Sequence, residues 1–86
     1  MKLWVDGMFF NTDIARAERT VELNGMSETL WSQVIDGAKC WFLGTRPVWT
    51  HYTNFKRITG READLWLQYG FIPTAEQLDE LEGNNG

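Results

Sequence analysis

This chain of 86 residues holds one histidine, His51, and one cysteine, Cys40. A Cys–His pair is the simplest nucleophile-and-base arrangement a protein builds. A working pair also needs a group that orients the base, yet no Asp or Glu lies within ten residues of His51 on either side. No nucleophile elbow and no oxyanion-loop glycine pattern accompanies them. His51 therefore reads as a hydrogen-bonded strand residue and Cys40 as a small buried side chain, and no catalysis is expected. Asp79, Glu80 and Glu82 crowd one solvated helix without the loop a calcium site needs, and there is no glycine-rich phosphate loop. No metal and no cofactor is expected.

A second chemistry is written in the charges. Residues 37 to 61 contain five of the eight basic side chains (Lys39, Arg46, Lys56, Arg57 and Arg61) and no acid. The flanks sum to −3 and −6, so the net charge of −4 conceals a dipolar chain. Trp41, Phe42, Trp49, Tyr52 and Phe55 are interleaved with the cations. Three readings compete for this segment. Its aromatics stack bases while Lys39, Arg46, Lys56 and Arg57 follow the phosphates, as in sheet-based single-strand binders. Alternatively, Trp49 and Tyr52 anchor a protein interface, for which Trp, Tyr and Arg are favoured types. In the third, the aromatics are core and the cations balance the acidic C-terminal part. The acids Glu62, Asp64, Glu76, Asp79 and Glu80 likewise read either as solvated helix faces or as a charge array that enters a cationic groove of a partner.

Local signals place these residues on elements. Asp6-Gly7 between short apolar runs predicts a hairpin, with strands near 2–5 and 8–11. After Asn11 or Thr12 as a cap, Ile14, Ala17 and Val21 suggest a short helix; Arg19 to Leu23 as a strand ended by Asn24-Gly25 is the alternative. Leu30, Trp31, Val34 and Ile35 fall at i, i+1, i+4 and i+5, which predicts a helix capped by Ser27, stapled by Met26 on Trp31 and ended at Gly37. Asp36-Gly37 also fits a hairpin turn. Lys39–Leu43 and Val48–Phe55 read as a second hairpin across a Gly44-Thr45-Arg46-Pro47 turn. Thr59 with Glu62, and Thr74 with Gln77, are capping boxes that predict helices from about 60 to 69, closed by Gly70, and of two turns after Thr74.

The expected fold is α+β: one domain over residues 1–82, a small antiparallel sheet from two hairpins packed with about three helices, and a disordered tail at 83–86. A chain this short buries only about 60–65% of its unfolded surface, so its twelve aromatics are needed, with one or two left for an interface. The unpaired cysteine points to a reducing, cytoplasmic setting, and no run approaches the ~18–20 apolar residues of a membrane span.

Residues 58–73, with their Thr-Gly start and Gly-Phe-Ile-Pro exit, resemble the winged-helix heads of excisionase and MerR-type regulators. That resemblance implies DNA reading by the helix that carries Arg61, Glu62 and Asp64, whose carboxylates phosphate repels. In format, the small acidic aromatic-rich chain resembles phage and mobile-element inhibitors, anti-CRISPR proteins among them, which block host nucleic-acid enzymes. The expected function is a non-catalytic protein-binding module that covers a functional surface of a larger protein. The alternative is a nucleic-acid-binding module built on residues 39–61.

Overall fold

A computed structural model describes residues 1–83. Six strands precede two helices: β1 (Lys2–Val5), β2 (Met8–Asn11), β3 (Arg16–Leu23), β4 (Met26–Ile35), β5 (Ala38–Pro47), β6 (Asn54–Ile58), α1 (Gly60–Tyr69) and α2 (Ala75–Leu81). β1 and β2 form a two-stranded sheet, and β3-β4-β5-β6 form a four-stranded antiparallel meander. The architecture is α+β, with two sheets rather than one and two helices rather than three.

Three two-residue turns set this topology. Asp6-Gly7, Asn24-Gly25 and Asp36-Gly37 all have positive φ at both positions (46° and 83°, 52° and 77°, 52° and 81°). That is the type I′ turn, whose twist matches that of the strands it joins, and Asx-Gly is the pair that adopts it most readily. Asp36-Gly37 closes β4 against β5 in an unbroken ladder from Met26↔Pro47 to Ile35↔Ala38. The helix expected over Ser27–Asp36 is therefore a strand, and the expected Gly44–Pro47 turn lies inside β5. Between residues 12 and 23 the strand alternative holds, with β3 paired to β4 from Arg16↔Ser32 to Leu23↔Met26. The return strand begins at Asn54 rather than Val48.

The four-stranded sheet is covered on one face by α1 and over part of the other by the N-terminal hairpin. On one, α1 lays Ala63 and Trp66 over Leu30, Leu43 and Ile58, flanked by Val21, Trp41, Leu67 and Ile72. The Trp66 indole N–H donates to Glu28 Oε1 at 3.0 Å, and Thr45 Oγ1 donates to Glu28 Oε2 at 3.2 Å, so the polar atom of the buried indole is satisfied. α1 has no basic residue of its own in its last turn, and Arg19 from β3 donates to the Leu67 carbonyl there at 2.9 Å, where a cation is favoured. On the other face the N-terminal hairpin places Val5 and Phe10 against Cys40 and Phe42. Phe10 stacks on Phe42 with centroids 4.4 Å apart and meets Trp31 and Phe55 at 5.9 and 5.1 Å. Polar contacts pin both ends of the hairpin: Asn11 N donates to Gln33 Oε1 at 2.8 Å, and Arg57 N donates to Asp6 Oδ2 at 2.9 Å.

The helices follow their local signals. Thr59 and Thr74 both make the reciprocal capping-box bonds, and Gly70 ends α1 with φ at 82°. Glu82 caps α2, and the last three residues of the expected 83–86 tail lie outside the described residues. Among the described residues no helix is long and apolar enough to cross a membrane.

Candidate interaction surface

The loop between β5 and β6 is held from within. Arg46, the penultimate residue of β5, turns its guanidinium onto the loop, and Nη1 donates to the carbonyls of Pro47, Val48 and Thr50 at 3.4, 3.4 and 3.0 Å. Thr50 N donates to Pro47 O at 3.1 Å, closing a turn with Val48 and Trp49 at its apex. Tyr52 N donates to Thr50 Oγ1 at 3.3 Å. These bonds order a loop whose large side chains remain in water: Trp49 is 82% exposed and Tyr52 72%.

The loop joins further apolar surface at the same end of the sheet. Val48 N donates to the carbonyl of Gly25, in the β3–β4 turn, at 2.9 Å. Leu23 and Met26 flank that turn, and with Phe71, just beyond α1, they line a groove of about 230 Å³ over Val21. Leu23, Met26, Val48 and Phe71 are all exposed. Isolated exposed apolar residues are ordinary, but a run of large ones drawn from three segments at one end of a small domain marks a contact surface. Trp and Tyr suit that role, since each offers a large area for few frozen rotors.

The acidic residues divide into two groups. Glu62 is half-buried, and its carboxylate accepts from Thr59 N at 2.9 Å, so it serves the α1 cap. Asp64 is exposed on α1, and Glu76, Asp79 and Glu80 are exposed on α2, which has no buried residue. α2 starts four residues after Phe71, so its carboxylates follow directly on the apolar end in the chain.

The cations of the 39–61 segment do not form one stripe. Arg46 commits one nitrogen, Nη1, to the loop carbonyls. Lys39 lies 3.8 Å from Glu18 and 4.7 Å from the Trp41 ring centroid. Lys56 pairs opposite Leu43 and Arg57 opposite Phe42, so the two point to opposite faces of β6. Trp41 is half-buried beside the α1 core and Phe42 lies under the hairpin. Of the segment's aromatics, Trp49 and Tyr52 alone are exposed to solvent as a stacking or anchoring pair.

Cys40 is buried at the start of β5, while His51 is exposed in the loop beyond its end, so the two are not brought together. Among the described residues no three His, Cys, Asp or Glu side chains gather as a metal site. One charged cluster escaped sequence reasoning. A bulge between Ala17 and Arg19 turns Glu18 onto the α1 face, where Ser32 Oγ donates to it and Arg16 Nε lies 3.5 Å away. The Ser32 hydrogen bond, and then the charges of Arg16 and Lys39, hold the Glu18 carboxyl below its ordinary value against the opposing effect of desolvation.

Sequence reasoning picked out Trp49 and Tyr52 but missed Leu23, Met26, Val48 and Phe71. The Asn24-Gly25 turn was the signal for two of them, because the closing pair of a type I′ hairpin sits at a sheet end where cover runs out. A second exposed aromatic contact, Trp4 against Phe9 at 5.4 Å, lies on the N-terminal hairpin. Comparison of the chain with protein-family models, with curated proteins and with solved structures found no match in any of the three.

Proposed function

We propose that this chain is a non-catalytic protein-binding module that meets a larger protein through its apolar end. Leu23, Met26, Val48, Trp49, Tyr52 and Phe71 supply the anchoring area, and Glu76, Asp79 and Glu80 on α2 face a basic border on the partner. The observation that supports this best is the Arg46-held loop, which keeps Trp49 82% exposed. An ordered loop loses little entropy when it binds, so apolar area held ready in water favours association. In the manner of small phage and mobile-element inhibitors, the module covers a functional surface, and a nucleic-acid enzyme with a cationic channel suits the acidic helix.

Binding of nucleic acid through residues 39–61 is the second reading, favoured by the same exposed Trp49 and Tyr52, which offer stacking faces. It is weakened by the opposite faces of Lys56 and Arg57. Affinity capture from host extract with three baits separates the readings. Protein binding predicts loss of the captured partner with Trp49→Ser, weakening with Glu76, Asp79 and Glu80 changed to Lys, and indifference to Lys56→Ser with Arg57→Ser. Loss with the last bait alone, together with a salt-sensitive gel shift by the wild type, would replace the protein reading by the nucleic-acid one.

A further inference from the structure

The N-terminal hairpin covers only part of its sheet face. Phe10 fills the middle, against Trp31, Phe42 and Phe55. Beyond it the sheet continues without cover, and Ser27, Thr29, Gly44, Arg46 and Thr53 form a cleft of about 120 Å³ between Trp31 and Phe55. Gly44 makes this shape possible: a Cβ there would stand 2.8 Å from Phe55 Cε1 and 3.1 Å from Thr53 Cγ2, so any side chain would displace the Phe55 wall.

The lining is rich in hydrogen-bond donors. Arg46 commits Nη1 to the loop carbonyls, and among the described residues its Nε and Nη2 have no acceptor. Three N–H groups of the cation are therefore without a protein acceptor at the cleft, which Ser27 and Thr53 also line, while the Thr29 hydroxyl there is bonded to Thr20 Oγ1 at 2.8 Å. Ser27 is 5% exposed, and its hydroxyl, which has no protein partner among the described residues, is not sealed from solvent. The guanidinium excludes a cationic occupant. A cleft of about 120 Å³ has room for a carboxylate with one or two carbons behind it.

We infer that this cleft is a binding site for a carboxylate group, held by the Arg46 fork and the Ser27 and Thr53 hydroxyls between the Trp31 and Phe55 rings. An Arg fork matches the two oxygens of a carboxylate, and the aromatic walls suit its short apolar stem. The site goes beyond the protein contact proposed above: it stands whether the carboxylate belongs to a protein side chain or chain end, or to a free small acid. Glu22, which pairs opposite Ser27 on this face and is exposed, brings one opposing charge to the rim.

The test is a titration of the full chain with sodium acetate followed by amide and Arg Nε NMR, with acetamide and sodium chloride at matched ionic strength as references. Acetate is expected to give saturable shifts at Ser27, Thr29, Gly44, Thr53 and Arg46, with acetamide about tenfold weaker, as losing a hydrogen bond to a charged group implies. Ser27→Ala weakens acetate by about the same factor, while Glu22→Gln tightens it about twofold by removing a like charge. Acetyl-glycine and the α-amide of acetyl-glutamate then identify the source. Binding equal to acetate or tighter assigns a protein-borne carboxylate, tenfold weaker binding assigns a free acid, and either result supports the site. Acetate shifts no larger than those of chloride, acetamide binding as tight as acetate, or weaker acetate binding by Glu22→Gln would each overturn it. So would unchanged acetate affinity in Ser27→Ala with the remaining amides undisturbed.

Discussion

Replacing Trp66 tests the packing that fixes the sheet beneath the proposed contact surface. Its side chain is fully buried at 0% exposure, among Leu30, Leu43, Ile58 and Ala63. Truncation to Ala removes the largest buried side chain and leaves a cavity, which costs about 3–5 kcal/mol. A domain of 86 residues at about 0.05–0.15 kcal/mol per residue has only about 4–13 kcal/mol to lose, so Trp66→Ala is left marginal or unfolded. Trp66→Phe separates the two parts of that loss. It keeps most of the ring but removes the N–H that Glu28 accepts at 3.0 Å, and a hydrogen bond to a charged group is worth about 1.5–3 kcal/mol. Glu28 is half-buried and keeps its bond from Thr45, so the lower figure, about 1.5 kcal/mol, is expected. Urea unfolding followed by far-UV circular dichroism measures both, with an unchanged m-value as the check that the compared states are the same. A loss below about 1 kcal/mol for Trp66→Ala would refute the buried position of α1 on the sheet.

Three further variants probe other parts of the structure. Gly37→Ala meets no atom within 4 Å but forces a Cβ onto φ 81°, so it costs about 1 kcal/mol, read as a drop of about 4–8 °C in Tm; no change would mean that residue 37 is not left-handed. Glu18, with its folded pKa below the ordinary 4.5, contributes stability above the unfolded value and loses it as pH falls through the folded one; carboxyl NMR should show Ser32→Ala moving Glu18 upward and flattening the acid side of the stability profile. Arg46→Lys removes the Nη1 bonds to the loop carbonyls, so exchange of the Thr50 and Tyr52 amides should quicken several-fold while the Phe10 amide is unaffected; equal exchange in both proteins would show that Arg46 does not order the loop.

What the chain reveals by itself depends on how local the determinant is. Both helices were legible because a capping box closes within four residues, Thr59 to Glu62 and Thr74 to Gln77. The first hairpin was legible for the same reason. β4 was not, and its packing explains why. Leu30 faces α1 while its neighbour Trp31 faces Phe10, so a central strand covered on both sides places apolar residues next to each other. Adjacent pairs spaced four apart are also what a helix face looks like, and Asp36-Gly37 held the deciding information. Gly44 and Pro47 read as turn residues, yet Gly44 sits under Phe55 and Pro47 ends the strand, where a missing N–H costs little. The candidate surface was legible only in Trp49 and Tyr52. Leu23, Met26 and Phe71 become surface through the way three chain segments end together, which no single window of sequence contains.

The proposal that this chain binds protein through its apolar end is tested most directly by hydrogen–deuterium exchange of the chain free and bound to the partner it captures. Protection is expected at Leu23–Met26, Val48–Tyr52 and Phe71, extending into α2, with the Lys56–Arg57 edge unchanged. Protection confined to Lys39, Lys56 and Arg57, with the Val48–Tyr52 loop exchanging as in the free chain, would contradict it.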